Sequence, residues 1–529
     1  MELNTSNFEI FKDVNHSNTI VQTSCGMVRG EKRGDVLLFR GIPYGEKCIR
    51  ERRFLPPLPA VPWKGILDCT KNGHIAVQAG ESISGSESLG DYFSGGHPEW
   101  FGVASEKQGE DCLVLNVVTP GTDDNKRPVV FYIHGGGFTT GSGSLVLGSD
   151  KWVLEEDLVV VGVNHRLNVL GFLYLGYLDD IYQDSGNAGL LDLVLALQWV
   201  QNNISAFGGD PDNVTIMGES GGGMKVSSLM AMKEAQGLFC KAIVESGSDI
   251  VGIRSISDAK ETTAKILDAL NLKETDYKKL LFMPVEEFRR ILDMIEPLKI
   301  GPVGDGRILP AANSPDFKAS SCSENIPLLI GNSLEETSLF IPLEEFEQVT
   351  FDNLAQYLLS AGNRNGSELS LLTADNVNQV ITAYRKVFSK DSSRHIAAKI
   401  LSGNSILGRG TWFQAVAKAE QPAQVFHYVI AYQTICPTQG GERYSWHTAD
   451  LPLQMRIVRY KENELLSRRM AHSWASFIRT GSPETGELSW KPFTNEEPWT
   501  LIFDKGNICK LEKDPYGKLR KILGEHYTG

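Results

Sequence analysis

Val214-Thr215-Ile216-Met217-Gly218-Glu219-Ser220-Gly221-Gly222-Gly223-Met224 is the stretch on which the reading of this chain turns. Its first four residues are apolar or β-branched, the pattern of a short buried strand. Residues from Met224 to Met232 suit a helix. Between them, Gly218-Glu219-Ser220-Gly221-Gly222 is a G-x-S-x-G, which sets a serine on a sharp turn where flanking side chains would clash. A helix starting just behind that hydroxyl offers free backbone N–H groups and the positive end of its dipole. With 52 glycines in 529 residues, the five-letter pattern can arise by chance. The strand–turn–helix context gives it weight, and Ser220 is the candidate nucleophile.

Outward from this turn the same alternation continues. Residues 129–133 and 158–163 read as buried strands, and Ala242-Ile243-Val244 as another. From Asp192 to Ile204, apolar Leu193, Ala196, Leu197, Val200 and Ile204 recur at helical spacing, and Phe207–Asp212 reads as a turn. The pattern predicts an α/β fold, a large and mostly parallel central sheet with helices on both faces. Further on, 327–330 and 425–430 read as strands and 462–479 as a helix. Residues 256–298 and 351–390 read as helical insertions between strands. No composition break, charge block or internal repeat divides residues 1–529, so one domain is expected. Residues 79–97 read as a mobile Gly/Ser-rich loop.

The balance of 52 basic and 65 acidic residues, a net charge of −13, argues against nucleic acid or an anionic membrane as partner. No apolar run approaches the ~18 residues of a membrane-spanning helix. The polar N-terminus lacks the apolar segment of a secretory signal, so a cytoplasmic location is expected as the sequence stands, or secretion if a leader has been removed. The Asn-x-Ser/Thr sites at Asn4, Asn15, Asn203, Asn213 and Asn365 read as chance occurrences. Eight cysteines lie scattered without CxxC or Cys/His ligand spacing, so a zinc site is not expected and free thiols are.

His134-Gly135-Gly136-Gly137-Phe138 directly follows strand 129–133. Its bare backbone can converge on an anion, and the N–H groups of Gly136, Gly137 and Gly221 together would form an oxyanion hole. Losing one such donor costs ~10²–10³ in rate. A nucleophilic serine needs a base, and the base an orienting carboxylate, which follow in the order Ser, acid, His in this fold. Five of the ten histidines come after Ser220, and His447 stands out in the loop Gly440–His447 beyond a strand. Glu335 and Glu336 both follow strand 327–330 across Gly331-Asn332-Ser333, and spacing does not choose between them.

These residues resemble the type-B carboxylesterase family of α/β-hydrolases, which includes the cholinesterases. The likeness extends through Phe39–Tyr44, Arg53–Pro57, Glu110–Val117, Asn164–Leu167, Leu170–Phe172, Gly186–Asp192 and Ala206–Gly222. It implies Ser220 as nucleophile, His447 as general base and Glu336 as acid. It also implies a supporting role for Ser246 and a buried, non-reacting place for Glu219. Departures are visible: Ala76-Val77-Gln78 removes the usual cysteine partner of Cys112, leaving Cys69 as a conceivable substitute. Thr337 replaces a glycine, Asp450 a glutamate, and Gly221 and Gly223 replace alanines. The implied activity is hydrolysis of small to medium, apolar carboxylic esters through an acyl-enzyme, without cofactor. A lipase, lactonase, carbamate or amide hydrolase would use the same groups. A non-catalytic adhesion relative is the alternative of another class, and the intact triad speaks against it. Trp100 is the only tryptophan near residues 70–100, which gives no firm aromatic site for a choline ester. Oligomeric state is not readable.

Overall fold

The structure, a computed structural model, describes residues 19–79, 106–248, 253–294, 300–312, 314, 317, 319–364, 370–458 and 461–524. The Gly/Ser-rich stretch from residue 80 onward, Trp100, Asn4, Asn15 and Asn365 lie outside them.

Among the described residues, eleven strands form the central sheet. In chain order they are β1 (Glu31–Arg33), β2 (Val36–Pro43), β3 (Val114–Thr119), β4 (Arg127–Ile133), β5 (Val159–Val163), β6 (Gly209–Glu219), β7 (Lys241–Glu245), β8 (Leu328–Ser333), β9 (Val425–Ile430), β10 (Trp499–Asp504) and β11 (Ile508–Lys513). Across the sheet the order is β11-β10-β9-β8-β7-β6-β4-β5-β3-β2-β1. Every pair from β5 through β4, β6, β7, β8 and β9 to β10 is parallel. The edges, β10–β11 on one side and β5–β3–β2–β1 on the other, are antiparallel. This is the α/β-hydrolase fold, with its parallel part confined to the middle.

Alternation along the strands builds a core on each face. In β4, Val129, Phe131 and Ile133 face one cluster, while Val130 and Tyr132 face the other. Helix α1 (Ala188–Asn203) covers the first face with Leu190, Leu193, Leu197 and Val200, joined by α2 (Gly221–Met230). On the second face lies the helix Glu464–Thr480, through Leu466, Met470, Trp474 and Phe477. The helices expected between strands are present as α3 (Ile256–Ala269) and α4 (Val285–Met294) between β7 and β8, and α5 (Leu354–Arg364) and α6 (Val377–Val387) between β8 and β9. With α7 (Ser393–Asn404), the latter pair forms a third cluster, in which Leu354, Val380 and Ile396 pack with Tyr444 and Trp446 beside His447.

Among the boundaries that differ from the sequence reading, two bear on the site. Residues 207–212 are not all turn: the chain reverses at Gly208 (φ 77°) and then runs extended as β6 from Gly209, which pairs with Arg127 across a register shift. Helix α2 begins at Gly221, three residues earlier than its apolar pattern, because glycine lets the first turn lie directly on the strand ends. A Cβ on Gly222 would stand 2.1 Å from the Ile133 carbonyl oxygen. Asn203 is buried, its amide donating to the Trp199 carbonyl.

Two of the quoted motifs meet in a buried ion pair. Arg166 donates from Nε to Asp192 Oδ2 at 2.9 Å and from a terminal nitrogen to Oδ1 at 2.6 Å, with both side chains almost wholly inaccessible. The same guanidinium donates to the carbonyls of Arg53 and Leu55, tying the N-terminal segment to α1. Removing one partner strands a buried charge. Asp192→Asn is therefore expected to cost about 3–5 kcal/mol of stability, read as a lower urea midpoint at unchanged slope. A midpoint equal to the wild type's would refute it.

Candidate active site

Strand β6 ends at Glu219, and Ser220 turns the chain with φ 57° and ψ −125°. An L-residue in a sparsely populated region costs about 1–3 kcal/mol and persists only where its surroundings hold it. Here the Ser220 N–H donates to the Glu245 carbonyl at 2.8 Å, and the Ser220 carbonyl accepts from the Met224 N–H at 3.1 Å. Strand β7 and helix α2 thus clamp the turn from two sides.

Facing it, the loop after β4 passes through Gly136 (φ 80°) and Gly137 (φ 59°). A Cβ on Gly221 would lie 2.2 Å from Gly137 O and 2.5 Å from Gly137 N. The two backbone segments expected to donate to an oxyanion therefore touch with no side chain between them.

The candidate acid and base meet at the ends of β8 and beyond β9. Glu336 is fully buried. Its Oε1 accepts from the Ser246 hydroxyl and from the Ser333 N–H, each at 2.6 Å, and its Oε2 lies 2.5 Å from His447 Nδ1. A carboxylate with both oxygens accepting makes Nδ1 the protonated nitrogen and leaves Nε2 its lone pair. That Nε2 stands 3.3 Å from Glu219 Oε1, the carboxyl next to Ser220 in sequence, so the accepting edge of the ring is turned toward the nucleophile's turn. Burial, with the charges of Asp450, Glu336 and Glu245 around it, pushes the Glu219 carboxyl well above the ordinary range.

Glu335, the other acid left open by spacing, points elsewhere. It accepts from Lys399, from His395 and from the Ser445 N–H at 2.8 Å, while its own N–H donates to the Ser445 carbonyl at 3.0 Å. Burial opposes its charge, but the hydrogen bond of His395 and the charge of Lys399 outweigh it and hold the pKa at about 2. It ties the acid's turn to the loop of the base, two residues before His447.

Other departures find their places too. The Thr337 N–H donates to Ser402 Oγ at 3.0 Å, docking the turn on α7. Asp450, buried behind the site, accepts from Gln454 at 3.0 Å, and burial together with Glu336 raises it to about 6. Cys69 and Cys112 are both buried and unbonded, and all eight cysteines are free. Among the described residues no helix is long and apolar enough to cross a membrane, and no group of three or more His, Cys, Asp or Glu could hold a metal ion. The sequence reading missed the Ser333 N–H, which no side-chain pattern betrays. It also missed Lys225, whose lone charge in α2 was a visible signal.

The carboxylesterase family's profile matches residues 17–516. The para-nitrobenzyl esterase of Bacillus subtilis is 32% identical over 96% of this chain and 99% of its own length. Human cocaine esterase is 32% identical over 90% of this chain and 85% of its own. Among solved structures, a carboxylesterase of Geobacillus stearothermophilus superposes with a TM-score of 0.80 at 33% identity, covering 96% of this chain and all of its own. The chain belongs to the carboxylesterase family and is an ester-hydrolysing enzyme.

Proposed function

We propose that this carboxylesterase hydrolyses small to medium, apolar esters through a Ser220–His447–Glu336 triad and an acyl-enzyme. The observation that carries the reading is the 2.5 Å contact between His447 Nδ1 and Oε2 of a buried Glu336 whose Oε1 accepts from the Ser246 hydroxyl and the Ser333 N–H. His447 Nε2 takes the Ser220 proton as the oxygen attacks the ester carbonyl, and Glu336 steadies the imidazolium that results. The N–H groups of Gly136, Gly137 and Gly221 stabilise the oxyanion. The alcohol leaves with the proton from His447, and water, deprotonated by the same base, releases the acid. Ser246 and Ser333 position the acid, and Glu219 is a buried neighbour of the base rather than a reactant. Relatives named for para-nitrobenzyl esters, cocaine and acylcarnitine favour the ester bond itself over one particular alcohol.

The test is covalent trapping with a p-nitrophenyl dimethylcarbamate, whose carbamoyl-enzyme hydrolyses slowly. One p-nitrophenol is expected per chain, with the carbamoyl group on the peptide that carries Ser220. Rapid ester turnover with the label on another residue, or with none, would refute the assignment.

A further inference from the structure

Five residues beyond Ser220, on the buried face of α2, lies Lys225. Its side chain is wholly inaccessible, and its Nζ donates to the His134 carbonyl at 3.1 Å. The same ammonium stands 5.6 Å from the centre of the Phe138 ring. His134 and Phe138 bracket the Gly135-Gly136-Gly137 loop. Lys225 thus reaches from the helix that supplies one candidate oxyanion donor, Gly221, to both ends of the loop that supplies the other two.

A buried ammonium with a carbonyl and a ring face for company costs stability, and an apolar residue of similar length would pack there more cheaply. Groups held in such costly surroundings concentrate at functional sites. We propose that Lys225 is a positioning residue for ester hydrolysis, its charged ammonium pinning the Gly135–Gly137 loop against α2 and placing a positive charge behind the oxyanion. The inference rests on the oxyanion-hole reading above.

The titratable groups facing it are His134, at the end of β4, and His165, after β5, whose rings stack 5.0 Å apart. Both are neutral: burial first, and the lysine's charge second, lower His134 to about 3 and His165 well below its ordinary range. Neither compensates the ammonium. Burial brings Lys225 down to about 7, with no carboxylate among the described residues acting to raise it. The charge is therefore present below neutral pH and lost as pH rises through about 7.

The experiment compares kcat and KM of the wild type, Lys225→Met and Lys225→Gln with a p-nitrophenyl ester from about pH 5.5 to pH 9. Wild-type kcat is expected to fall on the alkaline side while KM holds. Both variants should lose that fall and, below pH 7, show kcat about tenfold lower, as for the loss of a charge-assisted hydrogen bond. Stability gives an independent check. Between the folded pKa near 7 and the unfolded value of about 10.4, the unfolded wild type binds the extra proton, so wild-type stability climbs with pH. The variants should therefore melt above the wild type at neutral pH, with the gain shrinking toward pH 10. Superimposable kcat profiles for wild type and folded Lys225→Met would overturn the proposal. A wild-type kcat that stays level from pH 7 to pH 9 would overturn it whatever the variants do. Failure of the underlying reading is distinguishable, because Ser220→Ala would then retain activity.

Discussion

Ser220→Ala is expected to lower kcat for a p-nitrophenyl ester by about 10⁶-fold while KM stays within a few-fold. The reason is positional as well as chemical. Ser220 is the residue at φ 57°, clamped by the Glu245 carbonyl and the Met224 N–H, so its side chain leaves the turn in one direction only. Alanine accepts the same main-chain bonds and deletes only the hydroxyl. What survives is binding and the backbone donors, which by themselves leave a residual 10³–10⁴ over water. Fold should be untouched, checked by an unchanged melting curve. A folded variant with more than about a hundredth of wild-type kcat would remove Ser220 from the chemistry.

Glu336→Gln carries the second-largest expected effect, a loss of about 10⁴ in kcat. The network dictates which way the amide must sit. Oε1 receives two donors, from Ser246 and from the Ser333 N–H, so the carbonyl oxygen of a glutamine has to occupy that place. The NH2 then faces His447 Nδ1 and donates where the carboxylate accepted. His447 is driven to the tautomer with its proton on Nε2, and a protonated Nε2 accepts nothing from Ser220. Shape is kept, so the loss appears in kcat with little change in the melting curve. Retention of a tenth or more of the wild-type kcat would show that the carboxylate does not set the tautomer. Glu335→Gln is the contrasting control: its carboxylate bonds Lys399, His395 and the Ser445 N–H rather than His447.

Much of the central sheet was legible because parallel strands buried on both faces announce themselves as short apolar runs. Residues 129–133, 242–244 and 425–430 fall inside observed strands, and 158–163 does so from Val159 onward. The antiparallel edges were not read. In β2, Val36, Leu37, Leu38 and Phe39 are buried in succession, so no alternation marks it, and its ladder to β3 breaks at a shift between Phe39 and Ile42. Strand β11 is the converse, Ile508-Cys509-Lys510-Leu511-Glu512-Lys513, largely solvated and without a continuous apolar run. At the site, Ser220 and the glycine loop could be read because their chemistry is local to a few consecutive residues. The choice between Glu335 and Glu336 could not, since the two are adjacent on one turn and only partners distant in the chain, His447 for one and Ser445, His395 and Lys399 for the other, separate them. Resemblance to relatives selected Glu336 where spacing was silent. Nor does any periodicity reveal that the charge of Lys225 is buried rather than solvated, because that depends on where the His134 carbonyl points.

The donors assigned to the oxyanion are main-chain N–H groups on Gly136, Gly137 and Gly221, with the helix and the loop in backbone contact. No codon change can delete a peptide N–H other than one to proline, so an alanine scan of this site would report strain at these positions instead of the energy of the bonds themselves. Their individual contributions would be measured by replacing single peptide links with esters through semisynthesis, which removes the N–H and leaves every side chain in place.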